Sequence, residues 1–172
     1  MRHIIGILLQ NESGALSRVA AMFSSRGYNI ESLSVSATDD PAVSRITLVT
    51  KGSDAVVQQI VKQLHKLIDV VAVDDMTTDD HLERELALFK IRTRPAQRAA
   101  VQELLATAGG RVLSEERDCL IVELTSSESA ITELAASFAT KAELLEIVRS
   151  GALAMLRQER ILHVVESQGV DP

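Results

Sequence analysis

Two asparagines and a glycine near the start of the chain have types and spacing suited to binding a small zwitterion: Asn11, Gly14 and Asn29. Gly14 stands where a helical pattern begins. A glycine there leaves backbone N–H groups free and lets a ligand carboxylate come close, helped by the helix dipole. Asn11 at a strand end and Asn29 just past the helix can offer amide carbonyls to an ammonium group and amide N–H groups to a carboxylate. An amino acid carries both groups. The neighbours Leu9, Leu16 and Ile30 would leave an apolar space for a small side chain, with no cationic residue to demand a second carboxylate. A purely structural reading stands beside this one: Ser13 caps the helix, Asn11 turns the chain, and Asn29 occupies a C-terminal position that asparagine tolerates.

Elsewhere the usual reactive constellations are missing. His3, His65, His81 and His163 stand far apart, without metal-ligand spacing or an adjacent nucleophile, and each reads as a surface histidine. The acidic pairs Asp39-Asp40, Asp74-Asp75 and Asp79-Asp80 lack the glycine and alternating oxygen ligands of a calcium loop and read as solvated turns. Gly109-Gly110 closes a helix instead of opening one, so no phosphate loop is present. A small metal-dependent enzyme using the acidic segment and His81 is the enzymatic alternative, and the scattered histidines argue against it.

The elements that would position Asn11, Gly14 and Asn29 follow from periodicity. Ile4 to Leu9 is a short strand, and Leu16, Val19, Ala20, Met22 and Phe23 then recur at helical spacing up to Gly27. Ile30, Leu33 and Val35 begin a second strand, the turn Thr38-Asp39-Asp40-Pro41 follows, and Ser44 to Thr50 completes a hairpin. Ser53 or Asp54 can cap a second helix bearing Val57, Ile60, Val61, Leu64 and Leu67, before a strand at Val70 to Val73. The order is βαββαβ.

Asp74 to Glu85 carries six acids against one arginine and reads as a linker, after which the same order begins again. Leu86 to Ile91 is a strand, Ala96 to Ala108 a helix, Val112 to Ser114 and Cys119 to Leu124 a hairpin, Ser127 to Ala139 a helix and Leu144 to Val148 a strand. Register supports the repeat: Val19, Met22, Phe23 and Gly27 match Val101, Leu104, Leu105 and Gly109 at a constant offset of 82. Val57, Ile60 and Leu64 match Ile131, Leu134 and Phe138 at an offset of 74, so the second hairpin is tighter. Two α+β, ferredoxin-like domains are the expected fold, over residues 1–76 and 86–165, with 77–85 as linker and 166–172 as a polar tail. Met155, Leu156, Ile161, Leu162, Val164 and Val165 suggest a last helix or strand. One larger α+β domain whose halves look alike by chance is the competing fold.

The repeat also isolates the polar loop. At the offset of 82, Asn11 faces Thr93, Gly14 faces Ala96 and Asn29 faces Arg111. The second half begins the equivalent helix with Arg94-Pro95-Ala96-Gln97, so the fold itself does not require Asn11-Glu12-Ser13-Gly14.

Bulk properties narrow the partners. With a net charge of −6 and no Lys/Arg run, a phosphate backbone finds no electrostatic footprint, and at 2% aromatic content stacking platforms are lacking. Nucleic acid binding is disfavoured, and so is a membrane span, because no apolar stretch is long enough. Cys119 is the one cysteine of 172 residues and lies in a run that reads as buried strand, which fits a reducing, cytoplasmic setting.

Asn-Glu-Ser-Gly-Ala-Leu-Ser-Arg at 11–18, Arg-Gly-Tyr-Asn-Ile-Glu-Ser-Leu at 26–33 and Thr-Asp-Asp-Pro at 38–41 resemble the small-subunit family of acetolactate synthase. Gln63-Leu64-His65-Lys66-Leu67 and Arg149-Ser150-Gly151 fit the same family, so the likeness covers essentially the whole chain. The resemblance implies an N-terminal ACT domain, a second ACT-like domain, and feedback control of a separate catalytic subunit that carries thiamine diphosphate, Mg²⁺ and FAD. It implies no cofactor, no metal and no catalytic residue in this chain. It also implies an effector, valine or another branched-chain amino acid, held between the ACT domains of two small subunits in a homodimer. The matching positions are Asn11, Gly14 and Asn29, with Leu9, Ala15, Leu16 and Ile30 as wall or backbone contacts. An amino-acid-sensing ACT module that regulates some other biosynthetic enzyme remains the alternative.

Overall fold

The computed structural model describes residues 1–157, 159 and 162. Two βαββαβ units follow one another. In the first, β1 (Arg2–Gln10), α1 (Ala15–Ser25), β2 (Ser32–Ala37), β3 (Val43–Lys51), α2 (Asp54–Leu64) and β4 (Val70–Asp75) form an antiparallel sheet in the order β2-β3-β1-β4. The second has β5 (His81–Arg92), α3 (Pro95–Ala108), β6 (Arg111–Glu116), β7 (Cys119–Ser126), α4 (Glu128–Lys141) and β8 (Glu143–Arg149) in the order β6-β7-β5-β8. A short β9 (Leu153–Leu156) pairs with β5. Both units are ferredoxin-like, and the single-domain alternative is excluded.

Each unit has its own aliphatic core, with the helices laid on one face of the sheet. Ile5, Ile7 and Leu9 of β1 meet Val19, Met22 and Phe23 of α1 and Val57, Ile60 and Leu64 of α2. Ala87, Phe89 and Ile91 of β5 meet Val101 and Leu105 of α3 and Ile131, Leu134 and Phe138 of α4. These are the residues that the two offsets match. The repeat extends to hydrogen bonds at the helix ends: Tyr28 N–H donates to Phe23 O and Gly27 N–H to Ser24 O, as Gly110 N–H does to Leu105 O and Gly109 N–H to Ala106 O. Both glycines take the left-handed conformation this closure needs, with φ of 69° at Gly27 and 75° at Gly109. Three of the eight residues by which the second offset is shorter are lost at one turn. The β6–β7 turn is only Arg117-Asp118, whereas Thr38 to Ala42 joins β2 to β3.

The boundaries differ from the sequence reading at both ends of the second unit. The supposed linker shrinks to Met76–Asp80, because β5 starts at His81. Its acidic composition hides a strand whose Glu85 points inward and is held by Arg149, with Nε to Oε1 at 3.0 Å and Nη2 to Oε2 at 2.5 Å. Paired in this way, a buried carboxylate is compatible with a strand interior. At the other end, the compact units divide as Met1–Leu82 and Glu83–Leu153, and the described residues from Ala154 onward belong with the first. The reason is a second apolar face. Leu8, Val43 and Ala72 lie on the side of the first sheet away from its helices, and Leu162 packs on them. Arg45, whose basicity burial lowers against the pull of Asp74, donates from Nη2 to the Ala154 carbonyl at 3.1 Å. The last helix or strand expected around 155–165 is β9 in part; Ile161, Val164 and Val165 and the polar tail at 166–172 lie outside the described residues.

Two smaller expectations are corrected. Cys119 opens β7 and is only half-buried. His3 is buried, with Nε2 at 3.2 Å from the Gly52 carbonyl oxygen, whereas His65 is exposed, His81 is half-buried and His163 lies outside the described residues.

Candidate functional site

The loop between β1 and α1 is shaped almost entirely by backbone. Gln10 N–H donates to Asp69 O at 2.8 Å, Asn11 N–H to Ala42 O at 2.8 Å, and Ala15 N–H to Glu12 O at 3.2 Å. Gly14 is the N-cap of α1 in the left-handed conformation, with φ 85°, and no side chain caps the helix. Ser13 therefore does not play the capping role that the structural reading gave it. Among the described residues no acceptor meets the Leu16 or Ser17 N–H groups, so the positive end of α1 is open. At two other helix starts a side chain reaches in, Ser53 accepting from Val56 N–H and Ser127 from Ala130 N–H, whereas α3 begins with Pro95 and the Gln97 side chain accepts from the preceding Arg94 N–H at 2.9 Å.

Asn11 spends one amide N–H on the Pro41 carbonyl at 3.0 Å, which ties the loop to the β2–β3 turn and leaves its Oδ1 unused among the described residues. Asn29 behaves alike. Its Nδ2 donates to Glu31 Oε1 at 2.8 Å, Lys51 Nζ donates to Glu31 Oε2 at 2.9 Å, and the Asn29 backbone carbonyl accepts from Thr50 Oγ1 at 2.6 Å. The hydrogen bonds from Lys51 and then Asn29 hold the Glu31 carboxyl below its ordinary range. Leu9 and Ala15 are buried beneath the loop, Leu16 is 39% exposed, and Ile30 packs against the core.

The predicted residues fall into two groups at opposite ends of the sheet. In the β1–β3 register Gln10 pairs with Val43 at one end and Arg2 with Lys51 at the other. Leu9, Asn11, Gly14, Ala15 and Leu16 belong to the Val43 end; Asn29 and Ile30 precede Ser32, which pairs with Val49 near the Lys51 end. The 11 residues of α1 separate the groups by about 16 Å at 1.5 Å per residue. Within one chain they cannot touch a single amino acid.

Sequence reasoning missed two residues here. Arg18 makes a bidentate ion pair with the buried carboxylate of Asp69, Nη2 to Oδ1 at 2.7 Å and Nε to Oδ2 closer still. The hydrogen bonds between them raise Arg18 and hold Asp69 below the ordinary aspartate range. Arg18 Nη1 lies 3.1 Å from where a Cβ on Gly14 would stand. The available signal was the spacing, since residues four apart share a helix face. Among the described residues no group of three potential metal ligands converges, and no helix is long and apolar enough to cross a membrane.

Family models place the chain. Residues 5–72 match the ACT domain of the AHAS small-subunit-like type, and residues 84–158 match the small subunit of acetolactate synthase. The chain is 41% identical over 162 residues to the acetolactate synthase isozyme 3 small subunit of Escherichia coli, covering 94% of this chain and 99% of that protein. It is 39% identical over 160 residues to the acetolactate synthase small subunit of Haemophilus influenzae, covering 93% and 98%. The crystal structure of the acetolactate synthase small subunit from Thermotoga maritima matches with a TM-score of 0.85 at 31% identity, covering 93% of this chain and 99% of that one. Two domain models in tandem and near full-length relatives agree with the motifs at 11–18 and 26–33: the chain belongs to the acetolactate synthase small-subunit family.

Proposed function

We propose that this chain is the regulatory subunit of an acetolactate synthase, binding and activating a thiamine-diphosphate-dependent catalytic subunit and conferring feedback inhibition by valine or another branched-chain amino acid. Thiamine diphosphate, Mg²⁺ and FAD belong to the catalytic subunit on this reading, and the pair works in the cytoplasm. The observation that carries it is the split site. Asn11 and Gly14 at one end of the sheet and Asn29 at the other become neighbours when two copies set their β2 edges side by side and antiparallel, because a two-fold axis brings opposite ends together. Such pairing also covers the outer edge of β2, the end strand of its sheet, whose Val35 is 42% exposed. One amino acid then bridges two chains at each of two equivalent seams. The free Asn11 and Asn29 Oδ1 atoms suit its ammonium group, the open start of α1 its carboxylate, and Leu16 and Ile30 its aliphatic side chain.

An effector held at the seam stabilises one dimer geometry and so changes the grip on the catalytic subunit, a coupling of typically about 1–3 kcal/mol that acts in both directions. Calorimetry of the isolated protein with valine, leucine and isoleucine tests the site, and no heat with any of them overturns it. Co-purification with a thiamine-dependent subunit tests the partner. Capture of a different biosynthetic enzyme would move the same module to another pathway.

A further inference from the structure

We infer that Arg18 is the residue that reads the effector's carboxylate, with Asp69 as its positioning residue; this rests on the amino-acid site proposed above. A guanidinium has three nitrogens, and Arg18 commits two of them, Nε and Nη2, to the two oxygens of Asp69. The third, Nη1, has no hydrogen-bond partner among the described residues and lies against the open α-carbon of Gly14. A side chain on residue 14 would occupy that space, and a glycine keeps it clear.

The clamp is built from fixed parts. Asp69 is 2% exposed and directly precedes β4, and its own carbonyl accepts from Gln10 N–H, so the carboxylate is anchored to the strand that leads into the loop. Arg18 reaches it from α1, one turn after Gly14, and its side chain remains 47% exposed. A bidentate pair fixes the plane of the guanidinium and therefore the direction in which the Nη1 hydrogens point. Nη1 lies beside Gly14, the residue that opens α1 and precedes the open Leu16 and Ser17 N–H groups, so a carboxylate bound there would meet charge and dipole together. Glu12 supplies a compensating negative charge near Arg18. The surroundings thus favour a zwitterion over a simple anion.

The test is calorimetry on the full-length protein with valine and with valinamide, which keeps the ammonium group and side chain but has no carboxylate. Losing one charge-assisted hydrogen bond corresponds to about a 10- to 100-fold loss of affinity. Arg18→Gln is expected to weaken valine by that factor and to leave valinamide unchanged, so that the gap between valine and valinamide narrows by the same factor. Asp69→Asn, which keeps Arg18 but loosens it, is expected to give a smaller loss confined to valine. Arg18→Lys restores charge without the planar fork and is expected to recover part of it. Equal weakening of valine and valinamide by Arg18→Gln would show that Arg18 merely shapes the loop, and unchanged valine affinity would remove it from the site; either result overturns the assignment while leaving the amino-acid site standing. A wild-type protein silent to all three branched-chain amino acids removes both.

Discussion

Helices α1 and α3 are the same element used twice, and they differ at one end only. Their C-termini close with the same hydrogen bonds, Tyr28 N–H to Phe23 O and Gly110 N–H to Leu105 O. Their N-termini have opposite chemistry. α3 begins with Pro95, which has no N–H to offer, and the Gln97 side chain turns back to Arg94 N–H, whereas α1 begins at a left-handed Gly14 with open N–H groups at Leu16 and Ser17 and an arginine beside them. A helix start with no charged donor beside it offers an anion little beyond the dipole. One left open beside the unspent donor of an otherwise paired arginine has lost stability that a bound anion can return, and this is why duplicate domains point to function where they part.

The largest expected effect concerns what the two units share. Phe138 packs edge-on against Phe89 at 5.4 Å in the second core, so Phe138→Ala should cost about 3–5 kcal/mol. Differential scanning calorimetry should show the loss in the transition of the second unit, with the valine heat at low temperature retained. Next comes the point of divergence. Gly14→Asp places a carboxylate at the Arg18 Nη1 position and should reduce valine affinity more than about 100-fold, equivalent to over ~2.7 kcal/mol. Ala96→Asp, at the matched position of α3, should leave affinity within about twofold. Equal losses in both variants would mean that the two helix starts are not functionally distinct. At the C-terminal end, where the two helices agree, Gly27→Ala and Gly109→Ala should behave alike. Each added Cβ meets open space, so both should destabilise by about the same 1–2 kcal/mol from the positive φ alone, as read from urea midpoints.

The smallest effect is acid sensitivity. Asp69 has a depressed folded pKa, so its pair with Arg18 contributes stability above the ordinary aspartate value of 3.8 and loses it as pH falls through the lower folded value. Stability measured from pH 5 down to pH 2 should fall less steeply in Asp69→Asn than in the wild type.

Most of the architecture was legible because it is written in period. Val19, Met22 and Phe23 against Val101, Leu104 and Leu105 carry a helix face, and a strict offset carries two of them. Three features were not. Glu85 and its neighbours looked like a linker because an inward-facing acid reads as solvent-facing until its partner, Arg149, is known, and that partner is remote in sequence. Arg18 was passed over for the same reason, since Asp69 lies beyond two strands and a helix. The separation of Asn11 from Asn29 is a matter of chain direction: both flank α1, and only the sheet register shows that they flank it at opposite ends.

The Ala154 and Leu162 contacts have a consequence for synthesis. The first unit emerges from the ribosome first yet is finished last, because the chain that covers Leu8, Val43 and Ala72 follows the whole of the second unit. At roughly 5–20 residues per second, that apolar patch stays bare for on the order of several seconds on every nascent chain. The second unit is, in topological terms, an insertion within the first. A message truncated between codons 76 and 154 would release a protein whose ACT domain has all its strands but an uncovered, aggregation-prone back.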